Sequence, residues 1–181
     1  PSEITLIPES EWDARIDEQE AQQSSLEHIF LRGDQGKPIV NLDQDGHGYC
    51  WAYSTGSALM LLRAAMNEPL VRLNPHATAA IIKGGKNQGG WCGLSAQFAR
   101  ETGYAVEGTG PGQWALHSRD LRQDTPELRA AMALHKVHED WVDLTRDVYD
   151  QNLTFQMVAT LLLSCIPCPV DFNWWSHSVC A

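Results

Sequence analysis

A thiol, a side-chain amide and an imidazole occur in this chain in the order that nucleophilic catalysis would need. Cys50 stands in the run Gln44-Asp45-Gly46-His47-Gly48-Tyr49-Cys50-Trp51-Ala52-Tyr53-Ser54, where a Gly-rich turn meets an apolar stretch. That stretch, Trp51, Ala52, Ala58, Leu59, Leu61, Leu62, Ala65 and Met66, has roughly the i, i+3, i+4 spacing of a helix. A thiol at a helix N-terminus feels the positive end of the macrodipole and free backbone N–H groups, and both favour thiolate. Gln44 supplies an uncharged amide, which a chain bending through Gly46 and Gly48 can bring back toward the sulfur. A Cys nucleophile also needs a base that becomes its cationic partner, and His titrates in the right range. His177 lies 127 residues after Cys50. Such a thiolate–imidazolium pair would attack an amide carbonyl. The Cys50 N–H and the Gln44 amide would hold the oxyanion, and His177 would protonate the leaving amine.

Each of these residues also has a plainer reading. A lone thiol at a helix start is often an inert buried group, and a His beside Trp174 and Trp175 is often a packed core residue. Gly89-Gly90-Trp91 reads as a substrate shelf: glycines let a peptide backbone approach a strand edge, and the indole lines a pocket. It also reads as a simple turn. His47, His76, His117, His135 and His138 lie in helical or loop contexts without a matched partner.

Three segments together carry a resemblance. Gln44, Cys50, Trp51, Ala52, Tyr53 and Ser54 resemble the nucleophile segment of the papain family of cysteine peptidases. Asn87-Gln88-Gly89-Gly90-Trp91, followed by Leu94 to Ala99 and Gly103-Tyr104, resembles that family's Gly-Gly substrate strand and the helix after it. Trp175-Ser176-His177-Ser178-Val179 resembles its catalytic His strand, and the Cys-to-His interval is close to the family's roughly 130–150 residues. The likeness covers about residues 38–181. It implies a peptidase acting on peptide or protein substrates through Cys50, His177 and Gln44, with Gly89, Gly90 and Trp91 binding substrate. The implied fold is α+β and papain-like, with a helical half around a buried central helix and an antiparallel sheet half. Secreted members tie the nucleophile loop to the Gly-Gly segment by a disulfide; the corresponding positions here are His47 and Asn87. The family's imidazole-orienting Asn follows the His, and the given chain stops four residues past His177. The resemblance therefore implies a sheet completed by a further C-terminal segment or by a partner chain. Papain-like folds also occur as inactive modules and in proteins of bacteriophage genomes. A structural or binding protein, such as a virion component, is thus the rival expectation.

Composition narrows the classes. The 181 residues suffice for one compact domain, which would bury about 70% of its unfolded surface. The net charge of −10 and the dispersed Lys and Arg argue against nucleic acid as a partner. No apolar run approaches the ~18 residues of a membrane span, and Pro1 opens no signal-like segment. The five cysteines are Cys50, Cys92, Cys165, Cys168 and Cys180. An odd count and the missing bridge positions point to a reducing compartment, cytoplasmic or virion-associated. Cys165, Cys168, His177 and Cys180 also form a possible zinc set, with a C-x2-C opening. The intervening residues read better as a strand than as a knuckle, so no metal and no cofactor is expected.

The remaining pattern supplies the scaffold. Residues 1–37 read as an acidic helix and a connector, and residues 38–181 as the papain-like domain. Ser10-Glu11-Trp12-Asp13 reads as a capping box, with Trp12, Ile16, Leu26, Ile29 and Phe30 as apolar contacts. Arg32 to Pro38 reads as connector. Asn74-Pro75 opens a helix through Ile82 that stops at Gly84-Gly85. Gly108 to Gly112 reads as a loop, Thr125-Pro126-Glu127 opens a helix to about Leu134, and Thr154 caps a helix through Leu163. Strands are expected from Lys136 to Val142 and from Cys168 to Trp174. Helices first and strands late suit an α+β fold.

Overall fold

The computed structural model of the chain describes residues 4–33, 38–138, 142–144 and 150–181. The described residues form helices and two short two-stranded ladders, an α+β composition dominated by helix. The chain divides into two compact units, each built from three separate stretches.

The first unit comprises Pro1–Ile39, Leu61–Leu70 and Trp141–Cys168. The expected N-terminal segment is therefore not a unit alone; it shares one with two later stretches. Helix α1 (Trp12–Gln22) follows directly on a 3-10 turn, Glu9–Glu11. The expected capping box does not form, because the residue before α1 is Glu11, already inside that turn, and no side chain caps the helix. Helix α2 (Leu26–Arg32) is capped by Ser25, whose hydroxyl accepts the His28 N–H at 3.4 Å. Asp150, not Thr154, caps the unit's last helix (Gln151–Leu163), accepting from the N–H groups of Asn152 and Leu153. Thr154 lies one turn inside and donates to the Asp150 carbonyl at 3.1 Å. That helix packs on α1 through Trp12 and Phe155, whose ring centroids are 5.9 Å apart, and Gln19 donates to the Leu163 carbonyl at 2.9 Å.

The second unit comprises Val40–Met60, Val71–Asp140 and Pro169–Ala181. Helix α3 (Cys50–Ala65) starts in it and is buried over Trp51 to Thr55. Helix α4 (Pro75–Ile82) begins as expected, with Asn74 accepting the Ala77 N–H and Pro75 at the first position. It ends before Gly84 and Gly85, which take φ of 59° and 75°. Gly56 of α3 lets Pro75 approach closely; a Cβ there would lie 3.1 Å from the Pro75 Cβ. Helix α5 (Cys92–Glu101) is followed by β1 (Val106–Glu107), β2 (Gln113–Trp114) and α6 (Pro126–Ala133), which Thr125 caps. The helix of the first unit that runs Gln151–Leu163 is α7 in chain order. Strands β3 (Pro169–Phe172) and β4 (His177–Cys180) close the unit as an antiparallel hairpin.

Two clusters form the core of this unit. Ala77, Ala80, Ala105, Trp114, Leu128 and Met132 make one, and Tyr49, Trp51, Ala52, Tyr53 and Ala79 the other. Trp51 and Trp114 are fully buried, each contributing on the order of 2–3 kcal/mol from burial. The expected sheet half is smaller than foreseen. Among the described residues it amounts to the parallel β1–β2 pair and the β3–β4 hairpin. Residues 87–90 form no strand, and the strand expected through Trp174 stops at Phe172, because residues 173–176 turn. The strand expected from Lys136 to Val142 lies partly outside the described residues, as does the Arg32–Pro38 connector; residues 136–138 carry no regular structure. No described helix is long and apolar enough to cross a membrane.

Candidate functional site

Cys50 is the first residue of α3. The Tyr49 carbonyl accepts the first bonds of the helix, from Ala52 and Tyr53 at 2.9 and 3.1 Å. The Cys50 N–H therefore has no acceptor within the helix and is free to bind an oxygen. The loop before it is tightly held. Asp45 and Gly46 take φ of 50° and 66°, and the Asp45 N–H closes onto the Asp43 carboxylate at 2.8 Å. The His47 N–H donates to the Gln44 carbonyl at 3.1 Å, and the Gly48 N–H donates to Asn87 Oδ1 at 2.7 Å. The Tyr49 hydroxyl donates to the Lys86 carbonyl at 2.8 Å, and Trp51 Nε1 to the Gly48 carbonyl at 3.2 Å. Where the resemblance puts a disulfide, between His47 and Asn87, Asn87 instead tethers the loop by a side-chain hydrogen bond. All five cysteines are free thiols.

The partly buried Cys50 sulfur meets β4. Its Sγ is 3.8 Å from Ser178 Oγ. Ser178 pairs directly across the hairpin with Asp171, and its hydroxyl donates to Asp171 Oδ1. The same carboxylate accepts the Cys92 N–H at 3.0 Å and the Cys92 thiol at 3.1 Å, so it caps α5. Ser54, one turn into α3, donates to the Val179 carbonyl at 2.6 Å and accepts from Cys92 Sγ at 3.6 Å. Burial, reinforced by the bond to Asp171, pushes the Cys92 thiol up to about 12. Cys92 is therefore a neutral donor at physiological pH, and Cys50 is the partly buried thiol at the start of α3.

His177 departs from the sequence expectation. Side chains alternate along a strand. Ser178 and Asp171 share the face toward Cys50, so the next pair, His177 and Phe172, occupies the other. The His177 ring lies 4.9 Å from Trp175, and Phe172 lies 5.8 Å from Trp174. The expected hydrogen bond from imidazole to thiol is thus replaced by one from Cys50 to Ser178. Trp174 and Trp175 are exposed and stacked on each other rather than packed in a core.

The Gly-Gly segment has a reason of its own. A Cβ on Gly90 would lie 2.6 Å from the Trp51 indole, so the backbone passes directly over the buried ring. Gly89 has open space around it, and Trp91 is half exposed at the start of α5. These three residues form an accessible ledge of irregular chain, not a strand. The Cys165, Cys168, His177, Cys180 set does not assemble: the Cys165 thiol donates to the Ser24 carbonyl at 3.2 Å, and among the described residues no three His, Cys, Asp or Glu side chains converge as metal ligands.

Asp171 had no role in the sequence reading, and Ser178, Ser54 and Asn87 entered it only as members of matched segments, without the hydrogen bonds they make. One signal was available: Asp171 is a charged residue inside an otherwise apolar strand, two residues from Pro169. Comparison with family models, curated proteins and solved structures finds no match for this chain.

Proposed function

We propose that the chain is a papain-like thiol hydrolase that cleaves peptide bonds with Cys50 as nucleophile. The observation that carries this reading is the position of Cys50. Its sulfur stands at the first residue of a buried helix, against the strand that begins with His177. The thiolate attacks the amide carbonyl carbon. The Cys50 N–H and the Gln44 amide hold the oxyanion. His177 delivers its proton to the leaving amine as the C–N bond breaks. Water then attacks the thioester, His177 takes the water's proton, and the acid and the free thiol are released. The Gly89–Trp91 ledge receives the substrate backbone. This chemistry requires the imidazole to reach the sulfur's side of the hairpin, whereas the β3–β4 register turns His177 to the other face.

The contact between Cys50 and Ser178 favours a second reading, in which the same papain-like frame is kept without chemistry as a binding or structural module, such as a virion component. One experiment separates the two. A peptidyl electrophile directed at thiol peptidases is incubated with the protein and with His177→Ala, and adducts are located by mass spectrometry. The hydrolase reading expects one adduct, on Cys50, formed more than tenfold more slowly in the variant. Equal labelling of both proteins, or none, supports the binding module.

A further inference from the structure

Three histidines far apart in sequence meet beside the loop that carries Gln44. His76, on α4, is fully buried. Its ring centroid lies 4.8 Å from His47, 4.9 Å from Tyr49 and 5.7 Å from His117. Each ring has one nitrogen in a hydrogen bond, and His117 Nδ1 also faces the Asp45 carboxylate. His47 Nδ1 is 3.1 Å from the Gln44 carbonyl, and His117 Nε2 is 2.7 Å from the Asp43 carbonyl. A carbonyl only accepts, so both nitrogens carry hydrogen. His76 Nδ1 is 3.2 Å from the Tyr53 hydroxyl, and its Nε2 is buried with no hydrogen-bond partner. An unpaired nitrogen in such a place is unusual.

We propose that His47 and His117 are positioning residues for the loop Asp43–Gly48, and that His76, wedged against both, makes the order of that loop depend on protonation. With all three rings neutral, two imidazole N–H groups hold the carbonyls of Asp43 and Gln44. The loop then keeps the conformation that leads directly into Cys50 at the start of α3. Charging His76 in acid places an imidazolium 4.8 and 5.7 Å from the His47 and His117 rings. The rings separate, and the loop loses both bonds.

The surrounding charges set the direction. Burial, with the facing His47 and His117 and then Arg119, brings His76 down to about 4. The Asp45 carboxylate lies 3.7 Å from His117 Nδ1. Tyr49, just before α3, and Tyr53 on it are both held above the usual phenol range, chiefly by burial, and stay neutral. Asp43 and Glu107 act on Tyr53 from the loop and from β1. His76 therefore stays neutral at neutral pH and takes its proton only in acid.

The consequence for turnover rests on the hydrolase reading; the consequence for loop order does not. Amide hydrogen exchange of the intact protein therefore tests it. At pH 7, His117→Ala is expected to speed exchange at Asp45 through Tyr49 by about tenfold, while α6 amides are unchanged. In wild type, loop exchange corrected for intrinsic pH dependence is expected to rise as the imidazole proton resonances titrate. In His76→Phe, which keeps a ring of similar size without the proton, that acid step should disappear. If wild type hydrolyses peptides, His117→Ala should lower kcat about tenfold and leave KM and the iodoacetamide rate at Cys50 within twofold. Loop exchange within twofold of wild type in His117→Ala, or a wild-type loop unmoved through titration of all three rings, overturns the proposal. Loop exchange that responds in a protein without hydrolysis upholds the clamp and removes the hydrolase reading.

Discussion

The Ser178 hydroxyl donates to the Asp171 carboxylate across the β3–β4 hairpin. Because the carboxylate also takes the N–H and the thiol of Cys92, three elements of the second unit converge on one side chain. The start of α5, the last strand and, through Ser178, the Cys50 sulfur are all registered by Asp171.

Replacing Asp171 should therefore loosen the hairpin. Asp171→Ala leaves three donors without their acceptor, and because the carboxylate is solvent-exposed, water recovers part of the loss. The expected cost is roughly 1–2 kcal/mol. Asp171→Asn, which keeps one acceptor oxygen, should cost less. Urea unfolding midpoints measure both; identical midpoints for wild type and Asp171→Ala would show that the carboxylate registers nothing.

His76 gives stability a definite acid slope. Its folded value near 4 lies below the ordinary histidine value of 6.5. Between those limits the unfolded chain binds the proton that the folded chain refuses. Stability is thus complete above about pH 6.5 and falls as the pH drops toward 4, by on the order of 3 kcal/mol. His76→Phe should flatten that slope. A variant with the wild-type slope would place the acid sensitivity elsewhere.

The proposed chemistry predicts a ranking. Cys50→Ala should abolish amide hydrolysis with little effect on folding. Gln44→Ala should lower turnover about 10²–10³-fold, as loss of an oxyanion donor does, and His177→Ala at least as much. Wild-type rates in all three variants on a peptide substrate would remove the mechanism.

The thiols should differ in reactivity. Cys92 and Cys168 are buried, and burial pushes them up to about 12 and 11. Brief alkylation of the native protein at pH 8 should therefore modify Cys50 well before either. Mass spectrometry after full alkylation without reductant should find all five cysteines modified. Early labelling at Cys92 would mean that α5 opens at its start.

The neighbouring glycines offer an internal control. Gly90→Ala drives a methyl into the Trp51 indole and should cost roughly 1–3 kcal/mol, as overpacking does. Gly89→Ala meets open space and should leave the unfolding midpoint near wild type. Equal effects at the two positions would mean that the chain does not run over Trp51 as described.

Local signals were the legible part of this sequence. Asn74-Pro75 and Thr125-Pro126 opened helices where expected, because a cap and a proline at the first helical position act within one turn. Cys50 likewise begins the expected helix, and His177 lies on a strand, which starts two residues later than the matched run. The failures involve competition between neighbours or pairing at a distance. Ser10 lost the start of α1 to a 3-10 turn, and Thr154 lost the start of α7 to Asp150, an equally good cap four residues earlier. Which face of β4 meets Cys50 depends on the register with β3, and a shift of one residue exchanges the faces. Nothing within the run Trp175 to Val179 determines that register. The histidine cluster was illegible for the same reason: its members come from a loop, a helix and a second loop.

The division of the chain carries one more consequence, for the order of assembly. Residues 40–60 are made more than a hundred residues before the hairpin Pro169–Ala181 that completes their unit. Contacts so distant in sequence form slowly. Until the hairpin arrives, the Cys50 sulfur has no Ser178 and no neighbouring strand. A nascent chain therefore carries its thiol in an incomplete setting until the hairpin is made, and in a hydrolase that delay would keep the nucleophile idle over the same interval.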